Sequence, residues 1–483
     1  MRWALWYVQQ IVSIISAGVR HAIFPTALIG LTRAHAILKP EFRGCHLAVS
    51  VPSMPAENPR EPEERGIKSF VRALGPGLVT GAADDDPSGI GTHSQIGAEF
   101  GYGLAWTFVL SFPLMVVIQE IAAEIGRVTG AGIARNLKRH YRVALWPMVS
   151  LLLIANIVNL GADLSAMGAA MALLFGGSGG FYTLLFGILC IGLEVGLSYP
   201  RYASVLKWTT LTLFTYVGVV LVAHVPWPHA LRSLVVPELQ WNSAYATALV
   251  AILGTTISPY LFFWQAGQEI EEERRHHAKP LCMTPREAGP EIKRIRLDTL
   301  TGMAFSTIVS LAIVFATAAT LHANGIRDIE TSQQAAEALR PIAGKFAFAM
   351  FAIGIIGTGL LAVPVLAGSA AYAVTEMAGF PGSLDARPLS ARLFYATIAV
   401  TTLAGAALNG IGIDPAKALY WAAVVNGILA APLMAVMMLI VRNPRAMGRL
   451  SISSRTMFLG WAATAIMFGA SALFLAFAFA AWF

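Results

Sequence analysis

The chain has 483 residues, 56% hydrophobic and only 13% charged, with a mean hydropathy of +0.64; a soluble globule is excluded and a polytopic helical membrane protein embedded in a lipid bilayer is left. The net charge of +7 and pI near 9.4 point to no nucleic-acid partner here, because basic residues in this class gather on cytoplasmic loops and orient the chain. Cys45, Cys190 and Cys282 lie far apart without a CxxC pair, so neither a disulfide framework nor a thiolate metal site is expected.

Residues 1 to 65 stand apart. Met1 to Gly30 is apolar but interrupted by Arg20 and His21, and Pro52 to Glu64 is a Pro/Glu-rich linker; an interfacial helix, a targeting segment or an over-long start all fit, and no role is assigned. The membrane core follows over residues 66–483. Its apolar runs give about eleven transmembrane helices, near 70–100, 104–126, 144–173, 181–198, 203–224, 244–266, 297–321, 345–376, 393–410, 416–441 and 457–482. Alternate loops carry the basic residues: Arg127 to Arg142, Arg201 and Lys207, the Arg274 to Arg296 cluster, Arg387 and Arg392, and Arg442 to Arg455. The intervening loops have only Arg232, Arg327, Arg340, Lys345 and Lys417. The positive-inside rule then puts the amino end of the core in the cytoplasm and the carboxyl end outside, in a cell inner (plasma) membrane.

The first span contains Asp84, Asp85 and Asp86 before Pro87. Each carboxylate at mid-bilayer costs about 2.5–3.5 kcal/mol if uncompensated, so a cationic partner is expected. The apolar runs on either side are each too short to cross, and two separate spans would break the loop parity. One discontinuous helix, unwound from Asp84 to Gly89, satisfies both conditions. A second interruption, Gly254-Thr255-Thr256-Ile257-Ser258-Pro259, falls in the sixth span. Breaks at matching places in two five-helix halves are the sign of an inverted-repeat transporter with its binding site between the broken helices.

Asp86 directly precedes Pro87, where lost helix hydrogen bonding frees carbonyls to face an ion, and is the leading ligand. Asp84 and Asp85 point elsewhere if any helical geometry remains. They line an aqueous approach or pair with another span, and one of them binding a helix terminus or an arginine is an open alternative. Asn156, Asn159 and Asp163 recur at helical spacing on one face of the third span; a hydrated path facing the site and interhelical hydrogen bonding both account for the asparagines, whereas the charge of Asp163 favours the former. Glu120 and Glu124 near the end of the second span suit pairing with Arg127 or a neighbouring loop. His276 and His277, after the Glu269 to Glu273 run, read as a solvated charged loop in preference to a metal-capturing one. No phosphate loop, nucleophile constellation or dinucleotide fingerprint is present, and neither an enzyme nor a cofactor is expected.

These residues carry a resemblance. Gly75-Pro76-Gly77, Asp86-Pro87-Ser88-Gly89, Thr92, Gln95 and Gly97-Ala98-Glu99-Phe100-Gly101-Tyr102 resemble, without gaps, the first-span signature of the Nramp divalent-metal transporters; Gln119 to Ala123 with Gly126 and Val128-Thr129-Gly130, Asp163-Leu164, Asn443 and Met447-Gly448 are similar to later parts of that family. The resemblance implies a LeuT-like inverted repeat (5+5), all-α, with broken first and sixth spans, and an Nramp-like transporter domain over 66–483. It implies a divalent metal cation as transported substrate, held by Asp86, the carbonyls of Ala83 and Thr255, and the positions of Gly89 and Ser258. Asn426 stands where the family places a polar side chain that helps enclose the ion. Asp84, Asp85, Asn159, Asp163 and Tyr260 would lie on the approach or around the site.

The departures from the family pattern matter as much. Gly89 replaces an asparagine, Ser258 a methionine and Ala166 an acid associated with proton movement, while Tyr260 and Gln265 stand at histidine positions. Loss of the soft thioether removes a filter against hard ions, and a smaller residue at 89 suits an ion that keeps waters. The resulting expectation is Mg²⁺ and/or Mn²⁺ transport, similar to the divergent Nramp-related magnesium transporters, with protons as a weak coupling ion or none. Two alternatives stay open: the same scaffold carrying amino acids or organic amines, and a non-transporting membrane sensor.

Overall fold

The computed structural model describes residues 76–196 and 213–480; the expectations for residues 1 to 65 lie outside them. Every regular element among the described residues is helical: α1 (Pro76–Asp84), α2 (Pro87–Phe100), α3 (Trp106–Thr129), α4 (Ile133–His140), α5 (Arg142–Phe175), α6 (Gly179–Gly196), α7 (Phe214–Val222), α8 (Trp227–Ser233), α9 (Ser243–Thr256), α10 (Pro259–Arg275), α11 (Ala288–Thr320), α12 (Ser332–Glu337), α13 (Arg340–Ala343), α14 (Ala347–Ala378), α15 (Arg392–Leu408), α16 (Pro415–Arg442), α17 (Pro444–Met447) and α18 (Ser454–Ala480). Among the described residues, eight helical stretches are long and apolar enough to cross a membrane. The first predicted span is divided between α1 and α2, each too short alone, and α15 is a shorter apolar helix. Of the predicted fifth span only the part from residue 213 is described.

Both breaks have the same construction. α1 stops at Asp84 and α2 restarts with Pro87 at its first position, while α9 stops at Thr256 and α10 restarts with Pro259 at its first position. Proline lacks the N–H that would continue the preceding helix, yet its fixed φ suits a helix start. Each interruption is therefore tighter than the sequence implied: Gly89 lies in the first turn of α2 and Thr255 in the last turn of α9, leaving Asp85-Asp86 and Ile257-Ser258 as the non-helical residues.

The packing has the exchange that an inverted repeat requires. α1 and α2 pack on α11, the seventh span, and α10 packs on α3, the second. α5 and α14, third and eighth, pack on each other, and α16 lies against α2, α5 and α9. Phe181, Leu184, Leu185, Ile188 and Leu189 of α6 are exposed, which costs little only against lipid.

The α1–α11 contact is a seam of backbone on backbone. A Cβ on Gly81 would overlap the Gly302 carbonyl, and the Gly77 N–H donates to Asp298 Oδ2 at 2.7 Å. Small residues at helical spacing allow this approach, as in other membrane helix pairs.

Two span boundaries need correction. The sixth span continues as helix to Arg275, and α11 starts at Ala288, well before residue 297; helices built from Glu, Arg and Lys outlast the apolar run that hydropathy detects. Glu269, Glu271 and Glu273 are buried on that longer helix, whereas Arg274, Arg275 and the following His276 and His277 are exposed. Cys190 is buried and free.

Candidate metal site

Asp86 is 3% exposed and has an extended backbone. Its Oδ1 accepts the Gly89 N–H at 2.6 Å and caps α2, while Oδ2 accepts from Asn159 Nδ2 at 3.0 Å and the Tyr260 hydroxyl at 3.1 Å. The same Tyr260 hydroxyl lies 3.2 Å from the Ala83 carbonyl oxygen. With one hydrogen it satisfies one of these two acceptors at a time. Tyr260 thus reaches between two expected ligands, closer than the approach position that the sequence suggested.

The third span meets the break from the other side. Asp163 Oδ1 accepts the Ser88 N–H at 3.1 Å, and Asn159 Nδ2 lies 3.4 Å from Asp163 Oδ2, so one amide serves two carboxylates. Asn426 does not touch Asp86; its Nδ2 donates to Asn159 Oδ1 at 3.1 Å and fixes which end of that amide faces Asp86. Asn156 is turned away, donating to the Leu366 carbonyl and to Ser369 Oγ on α14.

The two breaks adjoin at Gly89. A Cβ there would meet the Asp84 carbonyl oxygen at 3.2 Å, Thr255 Oγ1 at 3.3 Å and Asp86 Oδ1 at 3.4 Å. The absence of a side chain admits these three oxygens and leaves less open space than expected. Ser258 points back into its own chain, its hydroxyl lying 2.9 Å from the Thr255 carbonyl and 3.1 Å from that of Gly254. The Thr255 carbonyl keeps a second lone pair. The Asp84 carbonyl is a candidate site oxygen that sequence reasoning missed, because it depends on how α1 and α2 are set across their break.

Asp84 and Asp85 are aimed at α11. Ser306 Oγ lies 2.7 Å from Asp84 Oδ2 and 3.2 Å from Asp85 Oδ1, and Ser310 Oγ lies 3.3 Å from Asp85 Oδ1. Of the readings left open for these two, pairing with another span describes them.

A cavity of about 700 Å³ opens on the α2 side of the breaks, with Gly91, Gln95, Glu99, Ala166, Leu419 and Tyr420 among its lining. Gly91 and Ala166 are within one helical turn of Gly89 and Asp163. Leu419 closes on Gly91, and its carbonyl accepts from Ser88 Oγ at 3.3 Å. The opposite side is sealed by polar ties between α1, α3, α10 and α11. Thr80 donates to Gln265, Arg127 pairs with Glu273 at 3.2 Å, Arg294 with Glu269 at 2.7 Å, and Arg296 with Glu120. Glu120 therefore pairs with the start of α11, and Arg127 is engaged by other carboxylates.

Two broken helices packed in exchanged positions, one side open and the other sealed, define an integral membrane protein of the LeuT-like inverted-repeat transporter fold. The chain belongs to the Nramp family: the family model described as "Natural resistance-associated macrophage protein-like" matches residues 77–477. It is 26% identical to the divalent metal cation transporter MntH of Burkholderia ambifaria over 427 residues, 85% of this chain and 90% of that one. Identity is 30% over 329 residues with the MntH of Ralstonia nicotianae, covering 66% and 69%. Among solved structures, a manganese transporter from Eremococcus coleocola shares the fold with a TM-score of 0.65 at 16% identity, covering 86% and 87%. The nucleobase-cation-symport-1 transporter Mhp1 shares it at 0.50 and 12% identity, covering 83% and 92%.

Proposed function

We propose that this protein carries divalent metal cations across the membrane, and that its cargo is a hard ion, Mg²⁺ and/or Mn²⁺, as in the Nramp-related magnesium transporters. Membership of a family of membrane metal transporters makes it a transport protein and not an enzyme. The observation that carries the reading is the oxygen-only constellation at the joined breaks: Asp86, the Ala83 and Asp84 carbonyls, Thr255 Oγ1 and the Tyr260 hydroxyl. Carboxylate, carbonyl and hydroxyl oxygens suit Mg²⁺ and Mn²⁺, and a thioether at position 258 would have favoured softer ions. The MntH relatives are named for divalent metal transport.

In this reading Asp86 is the charged ligand. Asn159, Asp163 and Asn426 form the buried polar chain that aims it, and residues 66–483 make up the transport domain. The amino end of the core is cytoplasmic in the plasma membrane, as the basic loops require, so the open cavity is an outer vestibule. Ala166 on its lining provides no acid and Tyr260 no imidazole, which supports weak or absent proton coupling. Uptake into proteoliposomes tests this directly. Mg²⁺ should compete with Mn²⁺, and an imposed pH gradient should change the rate little. Uptake of Cd²⁺ or Fe²⁺ that is indifferent to excess Mg²⁺ overturns the cargo, and acidification strictly stoichiometric with metal entry overturns the coupling.

A further inference from the structure

The side-chain carboxylates of Asp84 and Asp85 are not used by the cargo site, yet the two residues are only 4% and 2% exposed. They sit where α1 ends, at the negative end of that helix, a place that stabilises cations and opposes carboxylates. Their hydrogen-bond partners are neutral hydroxyls, Ser306 for both and Ser310 for Asp85. Asp84 Oδ1 and Asp85 Oδ2 have no partner at all. Buried polar atoms are rarely left in this state without a water or an ion to satisfy them, and two such carboxylates at membrane depth need positive charge nearby.

The opposing wall is built to a repeat. Asp298, Gly302, Ser306 and Ser310 are spaced four residues apart on one face of α11. They meet Gly77, Gly81, Asp84 and Asp85 in order. The backbone contact at Gly81 and Gly302 holds the two helices close, so the serine hydroxyls and carboxylates are presented as a fixed set of oxygens.

We propose that Asp84, Asp85, Ser306 and Ser310 form a second cation site, between α1 and α11, which takes a hard, oxygen-ligated metal ion. Either a second divalent ion or Na⁺ has the required chemistry. The site is separate from that of Asp86, whose carboxylate faces α5 and α10, and it stands whether or not Asp86 binds the cargo.

Equilibrium dialysis of the purified full-length protein, with radioactive Mn²⁺ in Na⁺-free buffer and separately with radioactive Na⁺, tests it. The background is Asp86→Asn, which removes the cargo site's charge. This variant should still bind a single cation per chain in one of the two arms, and that arm names the ion. Adding Ser306→Ala and Ser310→Ala should weaken the residual binding by at least about 10-fold. Asp85→Asn in the same background should do likewise, which covers the case of a serine pair that does not fold. The bound ion should also raise the unfolding temperature of Asp86→Asn. Absence of binding in both arms, or residual binding unchanged by the serine and Asp85 substitutions, overturns the proposal.

Discussion

Replacing Asp86 separates two roles of one side chain. Its Oδ1 caps α2 through Gly89, and its Oδ2 faces Asn159 and Tyr260 where the cation is proposed to sit. Alanine removes both roles, whereas serine keeps the cap, because a hydroxyl also accepts a first-turn N–H. The cap is worth about 1 kcal/mol, so Asp86→Ser should exceed Asp86→Ala by about that amount in equilibrium unfolding. The donors left behind have other acceptors within reach, Ala83 O for Tyr260 and Asp163 Oδ2 for Asn159, which keeps further losses small. For affinity the two variants should be equally poor. Unit charges 4 Å apart at an effective dielectric of 20 attract by about 4 kcal/mol, and a divalent ion by about twice that, so either substitution should raise the Kd for Mg²⁺ and Mn²⁺ by at least about a thousand-fold and abolish uptake. Calorimetric titration and proteoliposome uptake read this out. A serine variant that binds within about 10-fold of the unaltered protein would refute the assignment and place the ion elsewhere.

Ser258→Met would restore a soft ligand where a buried hydroxyl now bonds its own backbone; competition uptake should show selectivity moving toward Mn²⁺ and Cd²⁺ over Mg²⁺ by about tenfold, or 1.4 kcal/mol. Gly81→Ala forces a methyl group into the Gly302 backbone and should destabilise by about 1–3 kcal/mol or more. Gly192→Ala on α6, with nothing within 4 Å, is the control, and equal unfolding temperatures for the two would contradict the α1–α11 seam. Arg127→Ala leaves Glu273 buried without its partner at 3.2 Å, an arrangement that costs about 3–5 kcal/mol; the sealed side should open, seen as faster thiol labelling of a Thr80→Cys reporter, and an unchanged rate would show that this pair does not hold the seal.

Composition and loop charge alone determined that the chain is a helical membrane protein, and Pro87 and Pro259 alone marked the two breaks, because a missing N–H acts locally in any fold. The family motif and Asp86 were legible for the same reason, being contiguous in the chain. Tertiary structure decided what distant residues do to one another. That Tyr260 reaches the Ala83 carbonyl, that Asn426 acts through Asn159, and that Asp84 and Asp85 face Ser306 and Ser310 depend on helices brought together by packing. The buried glutamates of α10 show the limit most plainly. Hydropathy scores each residue against water, so it reads Glu269 and Glu273 as solvated, whereas arginines that are distant in sequence pair with them inside the protein.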